Sequence, residues 1–183
     1  MIIKKSFYFI RHGETAWNAE RKLQGQTDIP LNEAGMQQAA SLQALVSKLS
    51  VDKIFHSPLK RAAQTAEIAC IGLTCPKIAV DELKECYYGS LEGKPSTGRS
   101  SERIKQKDYD GESYESYSAR IIKGVNYVLS QEGNPLIVGH GGNFDMLTCI
   151  MNIPYVNIKN CTLLLFIAPT DAKPQWTIAE ITD

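Results

Sequence analysis

Short apolar runs alternate with longer amphipathic segments along this chain, and the two periods divide it into strands and helices. Alternating or continuous apolar runs predict strands at Ser6 to Ile10, Lys53 to His56, Lys77 to Val80, Leu136 to Gly139, Thr162 to Ala168 and Trp176 to Ile181. Apolar positions at helical spacing predict helices over Asn32 to Lys48, Pro58 to Cys70, Ser113 to Ser130 and Asn143 to Met151. Ser57 reads as the N-cap of the second helix, with Pro58 at its first position and Arg61 in its first turn. Strands that alternate with helices in this way make an α/β domain with a largely parallel sheet. The stretch 94–112 (KPSTGRSSERIKQKDYDGE) follows neither period and reads as a polar flap, mobile or irregular, within a single domain over residues 1–183.

In open α/β sheets, ligands bind in the crevice beyond the carboxyl ends of the strands. Arg11-His12, the segment His56 to Arg61, and His140-Gly141 each follow a predicted strand, so three separate segments converge on one sheet edge. Their chemistry suits a phosphate group. Arg11 offers a planar, permanently charged donor fork. His12 has a nucleophilic nitrogen near neutral pH without help from a metal. Gly13 is expected to leave room for substrate, where a side chain would obstruct its approach.

Lys plus Arg and Asp plus Glu each number 20 among 183 residues. With no net charge, neither nucleic acid nor an anionic membrane is an expected partner, and positive potential must be local. The N-terminus MIIKKSFYFI is too short in its apolar part for a signal peptide, and no run approaches a membrane span, which places the protein in the cytoplasm. Cys70, Cys75, Cys86, Cys149 and Cys161 are odd in number and irregularly spaced, with no CxxC pair and only three histidines beside them. This argues against a disulfide framework and against a zinc site, and leaves ordinary thiols of the interior.

Arg11-His12-Gly13-Glu14-Thr15 with Trp17-Asn18, then Leu23 to Gly35 (LQGQTDIPLNEAG), Ser57-Pro58-Leu59-Lys60-Arg61-Ala62, Glu82-Leu83-Lys84-Glu85 followed by Gly89 and Glu92-Gly93, and finally His140-Gly141 resemble the histidine phosphatase superfamily. That family includes cofactor-dependent phosphoglycerate mutases and many small phosphatases. The resemblance runs in order from about Phe7 to Cys149. It implies a three-layer α/β/α sandwich with a mostly parallel sheet, of the phosphoglycerate mutase-like type, working without metal or other cofactor.

In such a site His12 attacks phosphorus through one ring nitrogen while the other donates to a backbone carbonyl. Arg11, Arg61 and His140 hold the phosphoryl oxygens, Asn18 and the Gln24-Gly25 turn add neutral donors, and Tyr88 and Gly141 line the substrate pocket. Glu85 protonates the leaving oxygen and later takes a proton from the attacking water, with Glu82 as its rival for that role. Glu14 and His56 read as structural. The reaction implied is hydrolysis of a small anionic phosphorylated metabolite through a phosphohistidine. The alternative is a phosphoglycerate mutase, and a non-catalytic phospho-ligand binding module is a third possibility. His140 follows Glu85 by only 55 positions, a shorter cap than the mutases carry, which favours access of water. Lys94, Arg99, Arg103, Lys105 and Lys107 are either a solvated charged loop or contacts to an anionic substrate. Monomer and homodimer are both open.

Overall fold

The computed structural model describes residues 1–96, 98–105 and 110–182. Six strands form one sheet: β1 (Phe7–Arg11), β2 (Lys53–His56), β3 (Lys77–Ala79), β4 (Pro135–Gly139), β5 (Leu163–Ile167) and β6 (Thr177–Glu180), in the order β3-β2-β4-β1-β5-β6. The first four of that order are parallel, and β5 runs antiparallel to both β1 and β6. Helices among the described residues are α1 (Ala16–Ala19), α2 (Glu33–Ser41), α3 (Gln43–Val46), α4 (Lys60–Ala69), α5 (Ser100–Arg103), α6 (Tyr114–Ser130) and α7 (Gly141–Met151).

Successive side chains of a strand point to opposite faces, and here the two faces bury different helices. Phe7, Phe9, Phe55, Ile137, Leu164 and Phe166 join one core with Tyr117, Ile121 and Val125 of α6 and Phe144 and Leu147 of α7. Ile10, Ile54, Leu136, Val138 and Leu163 join the other with Ala39 of α2, Val46 of α3, and Ala62 and Ala66 of α4. This is the expected α/β/α sandwich. Arg11 stands opposite Gly139, and His56 opposite Val138, so β1, β2 and β4 end at one edge, as the strand pattern predicts.

Three boundaries differ from the sequence expectation. The helix expected over 32–48 is broken at Leu42, whose N–H turns back to the Ala39 carbonyl at 3.2 Å, so that Leu42 and Val46 both reach the core. The second helix starts at Lys60, not Pro58, and Ser57 is not its N-cap: Leu59 occupies that position without a side-chain bond. Asp28, from a distant loop, takes the Lys60 N–H at 2.7 Å instead, a cap that local sequence does not reveal. The last helix begins two residues early, at Gly141, because the Asn143 side chain accepts the His140 N–H at 2.9 Å and makes His140 the N-cap.

The polar stretch 94–112 is not irregular throughout. Its described part contains α5, tied to α7 where the Arg99 guanidinium pairs with Asp145 and the Ser101 N–H donates to the same carboxylate at 2.8 Å. Residues 97 and 106–109, Lys107 among them, lie outside the described residues.

Gly13 is also used differently from expectation. A Cβ built there would stand 2.6 Å from the Gly35 carbonyl oxygen, so the missing side chain lets α2 approach the loop after β1 and does not clear a path for substrate. Gly13→Ala should therefore lose about 1–3 kcal/mol of stability, the usual effect of forcing a methyl into filled space. Chemical denaturation of the two proteins measures the difference.

Candidate active site

A pocket of about 210 Å³ opens at the shared edge of β1, β2 and β4, lined by Arg11, His12, Arg61, Glu85 and the first turn of α7 at Gly141 and Gly142. The arginines are fixed by backbone, not by acids. Arg11 Nη1 donates to the Ile158 carbonyl at 2.6 Å, while Arg61 donates through Nη1 to Thr27 at 3.0 Å and through Nη2 to Gly25 at 2.6 Å. Among the described residues neither arginine has a carboxylate within salt-bridge distance, and the Nε of each is buried without a partner. Burial pulls both guanidinium groups down from their ordinary value while the Glu85 charge pushes them up, and both remain cations at any physiological pH.

The turn that receives Arg61 is itself held from below. Glu92 accepts the N–H groups of Gln26, Thr27 and Tyr88 at 2.9, 2.9 and 3.1 Å, and the Thr27 hydroxyl as well. Gly25 has φ +53°, and a Cβ there would stand 2.0 Å from the Glu92 carboxylate, so this turn admits only glycine.

His12 Nδ1 lies 2.7 Å from the Gly13 carbonyl, which fixes that nitrogen as the donor and leaves the lone pair on Nε2. Burial, then Arg61 and Arg11, push this imidazole well below its ordinary value. His140 is fully buried, 5.2 Å from His12 between ring centroids, and neither of its ring nitrogens has a partner among the described residues. Burial, Arg61 and His12 likewise keep it neutral. A neutral imidazole with a free lone pair thus stands among cations whose bonding capacity is incomplete.

Across from them Glu85 is 8% exposed, and its carboxylate accepts from Cys86 N–H at 2.9 Å, Tyr117 O–H at 3.0 Å and Gly142 N–H at 3.0 Å. Glu82 is not in the pocket; it pairs with Lys123 on the outer surface.

The profile of the histidine phosphatase superfamily (branch 1) matches residues 7–167. The chain belongs to that superfamily. Among its relatives, "Uncharacterized phosphatase PhoE" of Bacillus subtilis is 42% identical over 135 residues, which are 72% of this chain and 69% of that protein. "Probable phosphoglycerate mutase GpmB" of Cronobacter sakazakii is 34% identical over 179 residues, covering 85% and 81%. Among solved structures, YhfR of Bacillus stearothermophilus superposes with TM-score 0.78 at 26% identity over 97% of this chain and 96% of that one.

The histidine phosphatase fold brings together all ten residues that the sequence singles out: His12, Glu85, Arg11, Arg61, His140, Asn18, Gln24, Gly25, Tyr88 and Gly141. All of them line the pocket except His140, which lies fully buried against His12. Asn18 spends its Oδ1 on Thr15, at 3.2 Å from N–H, and Gln24 has a buried Oε1 without a partner. The helix start that faces the pocket is α7, not the one after Ser57, whose first N–H goes to Asp28. Glu14 accepts from Asn32 Nδ2 at 2.8 Å and His56 Nδ1 lies 2.9 Å from the Ser57 carbonyl, and neither residue lines the pocket. Tyr117, Asn143 and the Gly142 N–H were not legible as site residues: Tyr117 falls on an apolar helix face, and Asn143 carries a signal only once His140 is taken as an N-cap.

The neutral histidine pair has a consequence for stability. Both imidazoles have depressed values when folded, so the unfolded chain binds protons that the folded one refuses, and stability present above the unfolded value is lost as pH falls below it. The thermal midpoint should drop as pH is lowered below about 6.5, the unperturbed histidine value. His140→Gln should flatten that dependence; an equal slope in both proteins would contradict the assignment.

Proposed function

We propose that this chain is a phosphomonoester hydrolase that works through a phosphohistidine on His12. One observation carries the reading: fully buried Arg61 and half-buried Arg11, with no carboxylate within salt-bridge distance among the described residues, flank a neutral histidine whose free lone pair is fixed on Nε2. A dianionic phosphoryl group supplies the charge and the acceptors that the arginines, His140, Asn18 and the start of α7 lack.

The reaction then runs in two halves. Nε2 of His12 attacks phosphorus, the bond to the leaving oxygen breaks, and that oxygen takes a proton from Glu85. Water next attacks the phosphohistidine, gives its proton to the Glu85 carboxylate, and the P–N bond breaks to release inorganic phosphate and restore both residues. Arg11 and Arg61 neutralise the equatorial oxygens throughout, which is the larger part of catalysis in phosphoryl transfer.

The substrate is a small metabolite. The pocket lies below the ~300–1,000 Å³ usual for drug-sized ligands, and Tyr88 and Tyr155 provide aromatic walls. Arg99 is neutralised by Asp145, and Lys22 pairs with Glu20 at 2.5 Å, so these two cap-side cations contribute less to a second anionic group than their number suggests. This, with the phosphatase name of the 42% identical relative, favours hydrolysis over mutase transfer. We place the enzyme in the cytoplasm, because Cys70, Cys75, Cys149 and Cys161 are free thiols. No helix of the described residues is long and apolar enough to cross a membrane.

His12→Ala should lower kcat by at least about a thousandfold, since nothing else here replaces the nucleophile. Wild-type protein quenched during turnover should carry an acid-labile phosphoryl group that the variant lacks. If phosphoglycerates interconvert faster than any phosphomonoester in a metabolite panel is hydrolysed, the chain is a mutase. Because the arginines already supply the positive charge, activity should survive exhaustive chelation. Loss on chelation, restored by one divalent ion, would refute the proposed charge assignment.

A further inference from the structure

Helix α6 holds the acid in place through two residues one turn apart. Arg120, paired with Glu112, donates to the carbonyls of Glu82, Lys84 and Glu85 at 2.8, 2.8 and 3.1 Å and so pins the main chain that carries the carboxylate. Tyr117, fully buried, reaches the side chain itself.

The direction of the Tyr117 hydrogen bond is fixed by a chain of donors. The His140 N–H can only donate, so the Asn143 atom that receives it is Oδ1, at 2.9 Å. Nδ2 of Asn143 then faces Tyr117 Oη at 3.0 Å and also donates to the Lys84 carbonyl at 3.2 Å. With Oη accepting from Asn143, the phenol proton is directed to Glu85 Oε1. Burial and the Glu85 charge keep that phenol protonated far above neutral pH, so the donor is present whenever the enzyme works.

Oε1 therefore receives two donors, Tyr117 O–H and Cys86 N–H, and both of its lone pairs are occupied. Oε2 receives one donor among the described residues, the Gly142 N–H. The close approach requires glycine at 142, where a Cβ would stand 2.1 Å from Oε1 and 3.0 Å from Tyr117 Oη.

We propose that Tyr117, oriented by Asn143, is a positioning residue for the reaction: it saturates Oε1 of Glu85, so that Oε2 alone carries the proton to the leaving group and from the water. The inference rests on Glu85 as the acid of the proposed function. The chain from His140 through Asn143 and Tyr117 to Glu85 thereby sets the geometry of the acid from the same helix start that caps the phosphate pocket.

The test measures kcat/KM, which reports the first half-reaction, over substituted phenyl phosphates from p-nitrophenyl to unsubstituted phenyl. Tyr117→Phe keeps the buried ring and deletes only the hydroxyl. Its loss should be small with p-nitrophenyl phosphate and grow to about tenfold with phenyl phosphate, the effect of one hydrogen bond to a charged group. Asn143→Asp keeps an acceptor for His140 but turns the Tyr117 proton away from Glu85, so it should show the same gradient. Glu85→Gln, run beside them, should show a steeper one. A uniform loss in both Tyr117→Phe and Asn143→Asp, with a gradient kept in Glu85→Gln, overturns the positioning role and leaves the phosphatase reading intact. No gradient in Glu85→Gln removes Glu85 as the acid, and the positioning role falls with it.

Discussion

The structure depends on two arginine charges, one fully buried and one half-buried, with no carboxylate within salt-bridge distance among the described residues. Arg61 is wholly buried, and an uncompensated buried ion costs several kcal/mol even after relaxation. Backbone carbonyls of Gly25 and Thr27 replace the water it has lost, and Glu92 keeps those carbonyls in position by taking the N–H groups of the same turn. Arg11 is held similarly by Ile158. The folded chain thus holds preorganised positive charge, which under the proposed function meets a phosphoryl dianion without rearrangement.

The same charge shapes the groups around it. Burial, then Arg61 and Arg11, discourage a proton on His12, and burial with Arg61 acts likewise on His140. On the facing wall Glu85 accepts from the N-terminus of α7 and from a buried phenol. Close approaches make this possible: the backbones at Gly13 and Gly35 touch, the Gly25 turn lies against Glu92, and Gly142 lies against Glu85. A side chain at Gly25 or Gly142 would move a carboxylate.

The alternation of strands and helices, the α/β class and the edge at which the chemistry gathers are legible in the chain because they rest on local period and on a general property of such sheets. Arg11, His12, Arg61 and His140 are legible for another reason: they are phosphate-handling residue types in segments that follow strands, whereas Glu85 stands out through the resemblance of its segment to the histidine phosphatase superfamily. The local chain does not contain the partners that a group acquires from far away in sequence. Ser57 looked like a cap, yet Asp28 caps Lys60 across 32 positions. Gly13 looked like clearance for substrate, yet its neighbour is Gly35. Part of the polar stretch 94–112 looked irregular, yet α5 is fixed by Asp145 of a helix some 40 positions later. Tyr117 looked like one more apolar face residue of α6, and only packing that helix over residues 82–85 turned its hydroxyl toward the acid. Periodicity records which face of an element is apolar; hydrogen-bond direction and charge balance arise when distant segments meet, and those are fixed by the folded arrangement alone.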